Sequence, residues 1–147
     1  MGEQHIIEKE LSYRIMQAAF EVHNKLGPGY PEKIYDEAMD RELPLHGVTV
    51  ENQKRIMVMY DGKPLSEFVL DKVADGRVIL ELKAVSKILP IHQQQALSYL
   101  KATGLQLAIV INFGAARVQS SRVVYTRGKA YRPTLLPEVQ PPPVKSE

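Results

Sequence analysis

Apolar residues first recur at helical spacing, over about residues 8–26, where Leu11, Ile15, Ala18, Ala19, Val22 and Leu26 share one stripe. Gly27-Pro28-Gly29 stops that helix. Pro31 suits the first turn of a second one, which runs to about residue 46. Ile34, Tyr35, Ala38, Met39 and Leu43 form its apolar stripe. Pro44 distorts or ends its last turn, and Gly47 marks the exit. The period then falls to two. Residues 48–50 and 56–60 read as one long or broken strand, followed by an Asp61-Gly62 hairpin turn. Residues 65–73 and 77–85 are the next two strands. A helix opens at Pro90, buries Ala96, Leu97 and Leu100, and ends before Gly104. Residues 105–112 are a nearly continuous apolar run, the pattern of a buried strand. Residues 122–126 suit an edge strand.

The order ααβββαβ(β) predicts an α/β fold of the α+β mixed-sheet kind, with helices flanking a central sheet. Strands on either side of the 90–103 helix need a crossover, so part of the sheet is parallel. From Pro133 five prolines fall in fifteen residues, which reads as a disordered tail. The expectation is one domain, residues 1–132, and a tail over 133–147. No internal repeat is visible.

Composition narrows the chemistry. The chain has 147 residues, 44% hydrophobic and 24% charged, which suits one soluble domain with a real core. It contains no cysteine, so thiolate zinc sites and a cysteine nucleophile are excluded. That fits a reducing, cytoplasmic setting. No apolar run approaches a membrane span. Net charge is +2, but residues 1–50 hold five Lys/Arg against nine Asp/Glu, and residues 101–147 hold seven against two. The basic end could face a polyanion.

Three charges stand inside apolar strand sequence: Asp71, Glu81 and Lys83. Half-buried charges are costly unless they pair or hold a cation. Glu81 and Lys83 share a face because they are two apart. Asp71 joins them only in the right register. A two-residue turn at Asp75-Gly76 would pair Asp71 with Leu80 and separate the acids. A three-residue loop, Ala74 to Gly76, pairs Asp71 with Ile79 and keeps all three charges on one face, and this is the expected register. Two converging carboxylates can hold Mg²⁺ through hard oxygen ligands, and a lysine beside them can orient water at a phosphate.

Gly29-Tyr30-Pro31-Glu32-Lys33-Ile34-Tyr35, with residues 21–28 before it, resembles the GxxExxY family of the PD-(D/E)XK nuclease superfamily. The likeness continues collinearly through Asp71, residues 78–85, Leu89-Pro90-Ile91-His92, Gln95, Ser98-Tyr99-Leu100 and Ile111-Asn112-Phe113-Gly114. It covers roughly residues 8 to 125 and implies a restriction-endonuclease-like core. It also implies that Glu32, Asp71 and Glu81 bind Mg²⁺ or Mn²⁺, that Lys83 is the catalytic lysine, and that Gln95 lies near metal or phosphate. His23, Tyr35, His92 and Tyr99 would support the site. The family pattern often has arginine shortly before the aspartate and an apolar residue after it. Here those positions hold Val69 and Lys72, and Lys72 puts a charge on the opposite face.

The function so implied is metal-dependent hydrolysis of nucleic acid, DNA favoured over RNA, with Lys87, Lys101, Arg117 and Arg122 steering the backbone and a homodimer open. The rivals are a non-cleaving nuclease-fold module that binds nucleic acid or a protein, and an enzyme acting on a small phosphate. Plain structural readings stand beside each residue. Glu81 and Lys83 could be a surface ion pair, and Glu32 could serve the macrodipole of its helix. Tyr35 could pack with its hydroxyl capping a network, His23 could be a satisfied helix histidine, and His92 could be a helix-start residue.

Overall fold

Glycine and proline divide the chain where the pattern expects. In the computed structural model, which describes residues 6–126, helix α1 spans Lys9–Leu26 and ends at Gly27, whose φ of 70° a side chain would resist. Helix α2 spans Glu32–Glu42 after an extended Pro31. At Pro44, which offers no amide hydrogen, the helix tightens into a 3-10 turn, Leu43–His46. Strand β1 is Val50–Tyr60 and β2 is Lys63–Ala74. Between them Asp61 and Gly62 both take positive φ, which matches the twist of a two-residue hairpin. Strand β3 is Val78–Lys83, α3 is Pro90–Thr103, β4 is Leu107–Asn112 and β5 is Gln119–Val124. The last strand therefore begins before the expected residue 122. The expected domain end at 132 and the proline-rich tail lie outside the described residues.

The five strands stand in the order β1-β2-β3-β4-β5. Only β3 and β4 are parallel, and α3 makes the crossover between them. Both strands are covered on both faces, which explains their uninterrupted apolar sequence. On one face Leu80 and Ile109 pack against Ile15, Ala19 and Met39 of α1 and α2. On the other, Ile79, Ala108 and Val110 pack against Leu97 and Leu100 of α3.

The β2–β3 register differs from expectation in detail and agrees in consequence. Ala74 pairs with Val78, so the three-residue loop is 75–77 rather than 74–76. Continued by one step, this register sets Asp71 opposite Glu81 instead of opposite Ile79. The shift is two residues, which leaves Lys72 and Val73 on their expected faces, and the ladder itself ends at Lys72 and Leu80. The physical reason is the turn itself. Asp75 takes a φ of 50° beside Gly76, and the Arg77 amide closes onto the Ala74 carbonyl at 2.9 Å. The Asp75 carboxylate also accepts the Thr49 amide at 2.7 Å and its hydroxyl at 2.9 Å. Burial acts to raise this carboxyl, but those hydrogen bonds and nearby arginines hold it below the usual range.

Lys72 is fully buried on the α2 side. Its ammonium meets Asp40, lies 3.1 Å from Asp36, and donates to the Asn52 side-chain oxygen at 2.8 Å. Asn52 in turn donates to Asp40 at 3.1 Å. This network fastens α2 to the sheet, one residue from Asp71. Lys72→Ala removes the stem and strands the acids, and should cost about 3 kcal/mol. Lys72→Met keeps the packing. Because Asp36 and Asp40 remain about one-third exposed, they can turn to water, and the cost should fall to roughly 1 kcal/mol. Urea denaturation of both variants checks the difference. Equal losses would mean that the charge, not the stem, holds α2.

Candidate active site

Glu81 lies inside β3 with only 6% of its surface exposed. Its neighbours on the strand, Leu80 and Leu82, point into the α1/α2 core, so Glu81 is directed to the α3 face. Lys83, two residues on, shares that face and is half-buried. Asp71 comes to it from β2, and Glu32 from the first turn of α2. Electrostatics tie the four together. Burial pushes the Glu81 carboxyl up to about 7, Lys83 pulls it back, and the charges of Asp71 and Glu32 raise it further. Glu32 is raised as well, by partial burial first, against Lys83 and with Asp71 and Asp36. The structure thus brings Glu32, Asp71, Glu81 and Lys83 into one field.

Asp71 stands at an interruption of the ladder. The β1–β2 pairs run from Val50–Ala74 to Asn52–Lys72 and resume at Lys54–Leu70, skipping Gln53 and Asp71. Gln53 takes a φ of 57°. Leu70 and Val73, three apart, both join the α3-side core, which strict alternation would forbid. The interruption falls at the residue whose charge raises Glu81.

Above the acids, α3 contributes Tyr99 and Gln95, one turn apart and hydrogen-bonded to each other. Burial raises the Tyr99 hydroxyl, and so do the negative charges of Glu81 and Asp71, which places it against the acid pair. Its ring stacks on Phe68 of β2 with centroids 5.0 Å apart. Phe68 carried no signal in the sequence beyond its place in an apolar strand.

The remaining predicted supports hold the frame. His92 Nδ1 accepts the Leu89 amide at 3.0 Å and so caps α3. Burial first, then the charge of Lys83, lowers its pKa. His23 Nε2 meets the Ala115 carbonyl at 3.0 Å, and its ring lies along Phe113. Tyr35 is fully buried and stacks on Phe113 at 4.8 Å. Its hydroxyl donates to the Gly27 carbonyl at 2.5 Å and accepts the Tyr30 amide at 3.2 Å. It therefore fixes the loop that delivers Glu32.

Two further residues fix the end of β3. Asn112 accepts the amides of Val85 and Gly114 at 2.9 and 3.0 Å, and donates to the Val85 carbonyl and to Gln119, both at 2.9 Å. Gly114 lies so close to the backbone of Ala84 and Val85 that a Cβ there would overlap it. The sequence marked Asn112 as a strand end and as part of the block shared with the family.

Arg122 corrects an expectation. It donates to Ser12 Oγ at 2.7 Å and to the Ile7 carbonyl at 2.6 Å, so it braces α1 and cannot steer a backbone at the acids. Lys87 and Arg117 remain exposed.

Among the described residues, no group of three or more His, Asp or Glu is drawn together as a ready metal cage. The donor set nonetheless suits a hard cation. Mg²⁺ commonly takes one or two carboxylates and completes its shell with water and phosphate oxygens. Carboxylates whose mutual repulsion and burial raise their proton affinity are also those a cation would relieve.

A family model described as the PD-(D/E)XK nuclease superfamily matches residues 9–123. No curated protein and no solved structure matches the chain. No helix among the described residues is long and apolar enough to cross a membrane.

Tyr35→Phe tests the loop anchor. It leaves the Gly27 carbonyl and the Tyr30 amide without their shared partner while keeping the ring stack. The expected loss is about 1–2 kcal/mol by chemical denaturation. Tyr35→Ala should lose about 3–5 kcal/mol.

Proposed function

Since this chain belongs to the PD-(D/E)XK nuclease superfamily, we propose that it is a metal-dependent nuclease of the GxxExxY branch, hydrolysing phosphodiester bonds of DNA in preference to RNA. One observation carries the reading: a buried strand carboxylate, Glu81, shares its field with Asp71, Glu32 and the Lys83 amine. Asp71 and Glu81 would hold Mg²⁺ or Mn²⁺, with Glu32 as a further oxygen ligand to that ion or a second one. The bound cation supplies positive charge to the phosphate and lowers the cost of activating water.

The chain's own groups do the rest. Lys83 sits two residues from Glu81 on the same face, where its ammonium can orient the attacking water and face the developing charge on the phosphate oxygens. The water oxygen would bond to phosphorus as one of its O–H bonds breaks, the bond from phosphorus to the leaving oxygen would break, and the proton released by the water would balance the one the leaving oxygen takes up. Gln95, held by Tyr99, is positioned to donate from its amide to a phosphate oxygen or a bound water. Lys87 and Arg117 offer exposed positive charge to the strand. The protein would act in the cytoplasm, and a homodimer would present two such centres to two strands.

The absence of a closed three-acid cage among the described residues favours a second reading, a nuclease-fold module that binds without cutting. Calorimetric titration with Mn²⁺ separates the two, since the module predicts no binding, or binding unchanged in Asp71→Ala.

The chain should cut DNA in Mg²⁺ or Mn²⁺ and stop when EDTA is added. Lys83→Ala and Asp71→Ala should each lower the rate at least about 100-fold while the circular-dichroism melt survives. Full activity in the double variant would overturn the assignment. A panel of double-stranded DNA, single-stranded DNA, RNA and mononucleotides reads the substrate class.

A further inference from the structure

We infer that the outer edge of β1 is where a second copy of this chain docks, strand to strand and antiparallel, about a two-fold axis near Val58. The inference gives the homodimer a surface and rests on the fold alone, so it stands or falls apart from the nuclease chemistry. Strand β1 ends the sheet order, is eleven residues long and contains no proline. Beyond Gln53 its only strand partner among the described residues is β2. A long edge of this kind is a template for another strand. The opposite edge, β5, has six residues and is braced to α1 through Arg122.

The outer halves of β1 and β2 form a ribbon with two unlike faces. Ile56 and Phe68, paired across it, pack towards Tyr99 and the α3-side core. The other face shows Arg55, Met57, Met59, Glu67 and Val69 to solvent. Met59 is 54% exposed, and at the ribbon's end Tyr60 is 66% and Leu65 63% exposed. Grouped apolar exposure of this kind marks an interaction surface.

Charge decides what the partner is. Residues 50–69 hold Lys54, Arg55 and Lys63 against Glu51, Asp61 and Glu67, a net charge of zero. A neutral ribbon does not attract a polyanion such as nucleic acid. It is, however, complementary to itself. Antiparallel pairing about Val58 sets Met57 against Met59 of the second copy, and brings Arg55 to the hairpin turn that carries Asp61 of that copy. Arg55, Met57 and Met59 lie at odd positions of β1, on the exposed face. Centring the pair on Ile56 would instead bring Glu51 to that turn, like charge against like. Arg55 holds Glu67 at 2.9 Å in the single chain, but with most of its side chain in water that bond is weak and can be shared. The same patch meets itself across a two-fold axis, so the contact closes at two copies.

Sedimentation of the full chain over a concentration series should show a dimer. Met57→Lys, which sets charge against Met59 in both halves of the contact, should weaken association at least tenfold with an unchanged circular-dichroism spectrum. Because the chain has no cysteine, register can be read directly. The double variant Met57→Cys/Met59→Cys should give a covalent dimer under mild oxidation, since each new thiol faces the other position across the axis. The single variants should not, as residue 57 does not face residue 57. A monomer at all concentrations overturns the proposal. So does a dimer indifferent to Met57→Lys, or cross-linking of the single variants as strong as that of the double.

Discussion

The hydrogen-bonded register across the Asp75-Gly76 turn is the constraint on which the site depends. Side chains alternate along a strand, so a slip of one residue would send Asp71 to the α1/α2 face and leave Glu81 alone among the α3-side apolar groups. Thr49 donates two hydrogen bonds to Asp75 and ties the turn to the start of β1, and the parallel pairing of β3 with β4 secures the other side. Asn112 and Gly114 then hold the end of β3 against the segment after β4. Glu81 and Lys83 are thus held by backbone pairing with β4, while the ladder to β2 stops at Leu80. Only Glu32 comes from outside the sheet, and it depends on Tyr35 and Lys72 for its position.

Much of this layout was legible in the sequence because punctuation and period agree. Pro90 and Gly104 bracket α3, and six consecutive buried residues make β4 unmistakable. Glu81 and Lys83 stood out because charge within apolar strand sequence is costly. The Asp71 register was readable only as parity. Which residue paired with which depended on the positive φ of Asp75, and sequence does not reveal whether aspartate or glycine leads such a turn. His92 and His23 show a different limit. Their spacing allowed a role at the site, but the partners that occupy them, a backbone amide of α3 and the Ala115 carbonyl, come from pairings that spacing alone does not specify.

Lys72 and Arg122 carry the same lesson for cations. Both read as ordinary strand charges, and one was expected to meet a nucleic-acid backbone. Each instead finds acceptors more than thirty residues away in sequence, Asp36 in one case and Ser12 and Ile7 in the other. A long side chain on a covered strand face reaches acceptors in and beside the helices packed on it. The α1/α2 layer has acceptors to offer because its helices start the acidic end of the chain.

The two faces of β2 solve the problem of buried charge in opposite ways, and the contrast separates structure from chemistry. On the α2 side one amine meets two aspartates and an amide oxygen, and among the described residues no buried side-chain polar atom lacks a hydrogen-bond partner. That network is closed and holds a helix. Around Glu81, Asp71 of β2 and Glu32 of α2 bring two more carboxylates to one amine, Lys83. Burial first, and then the charges of Asp71 and Glu32, raise Glu81 to about 7 against the pull of Lys83. A fold indifferent to that cost would lose nothing by placing leucine at 81, as it does at 80 and 82. The unbalanced acids are therefore the part of this sheet that packing cannot explain, and a cation with a phosphate oxygen beside it is the partner that would balance them.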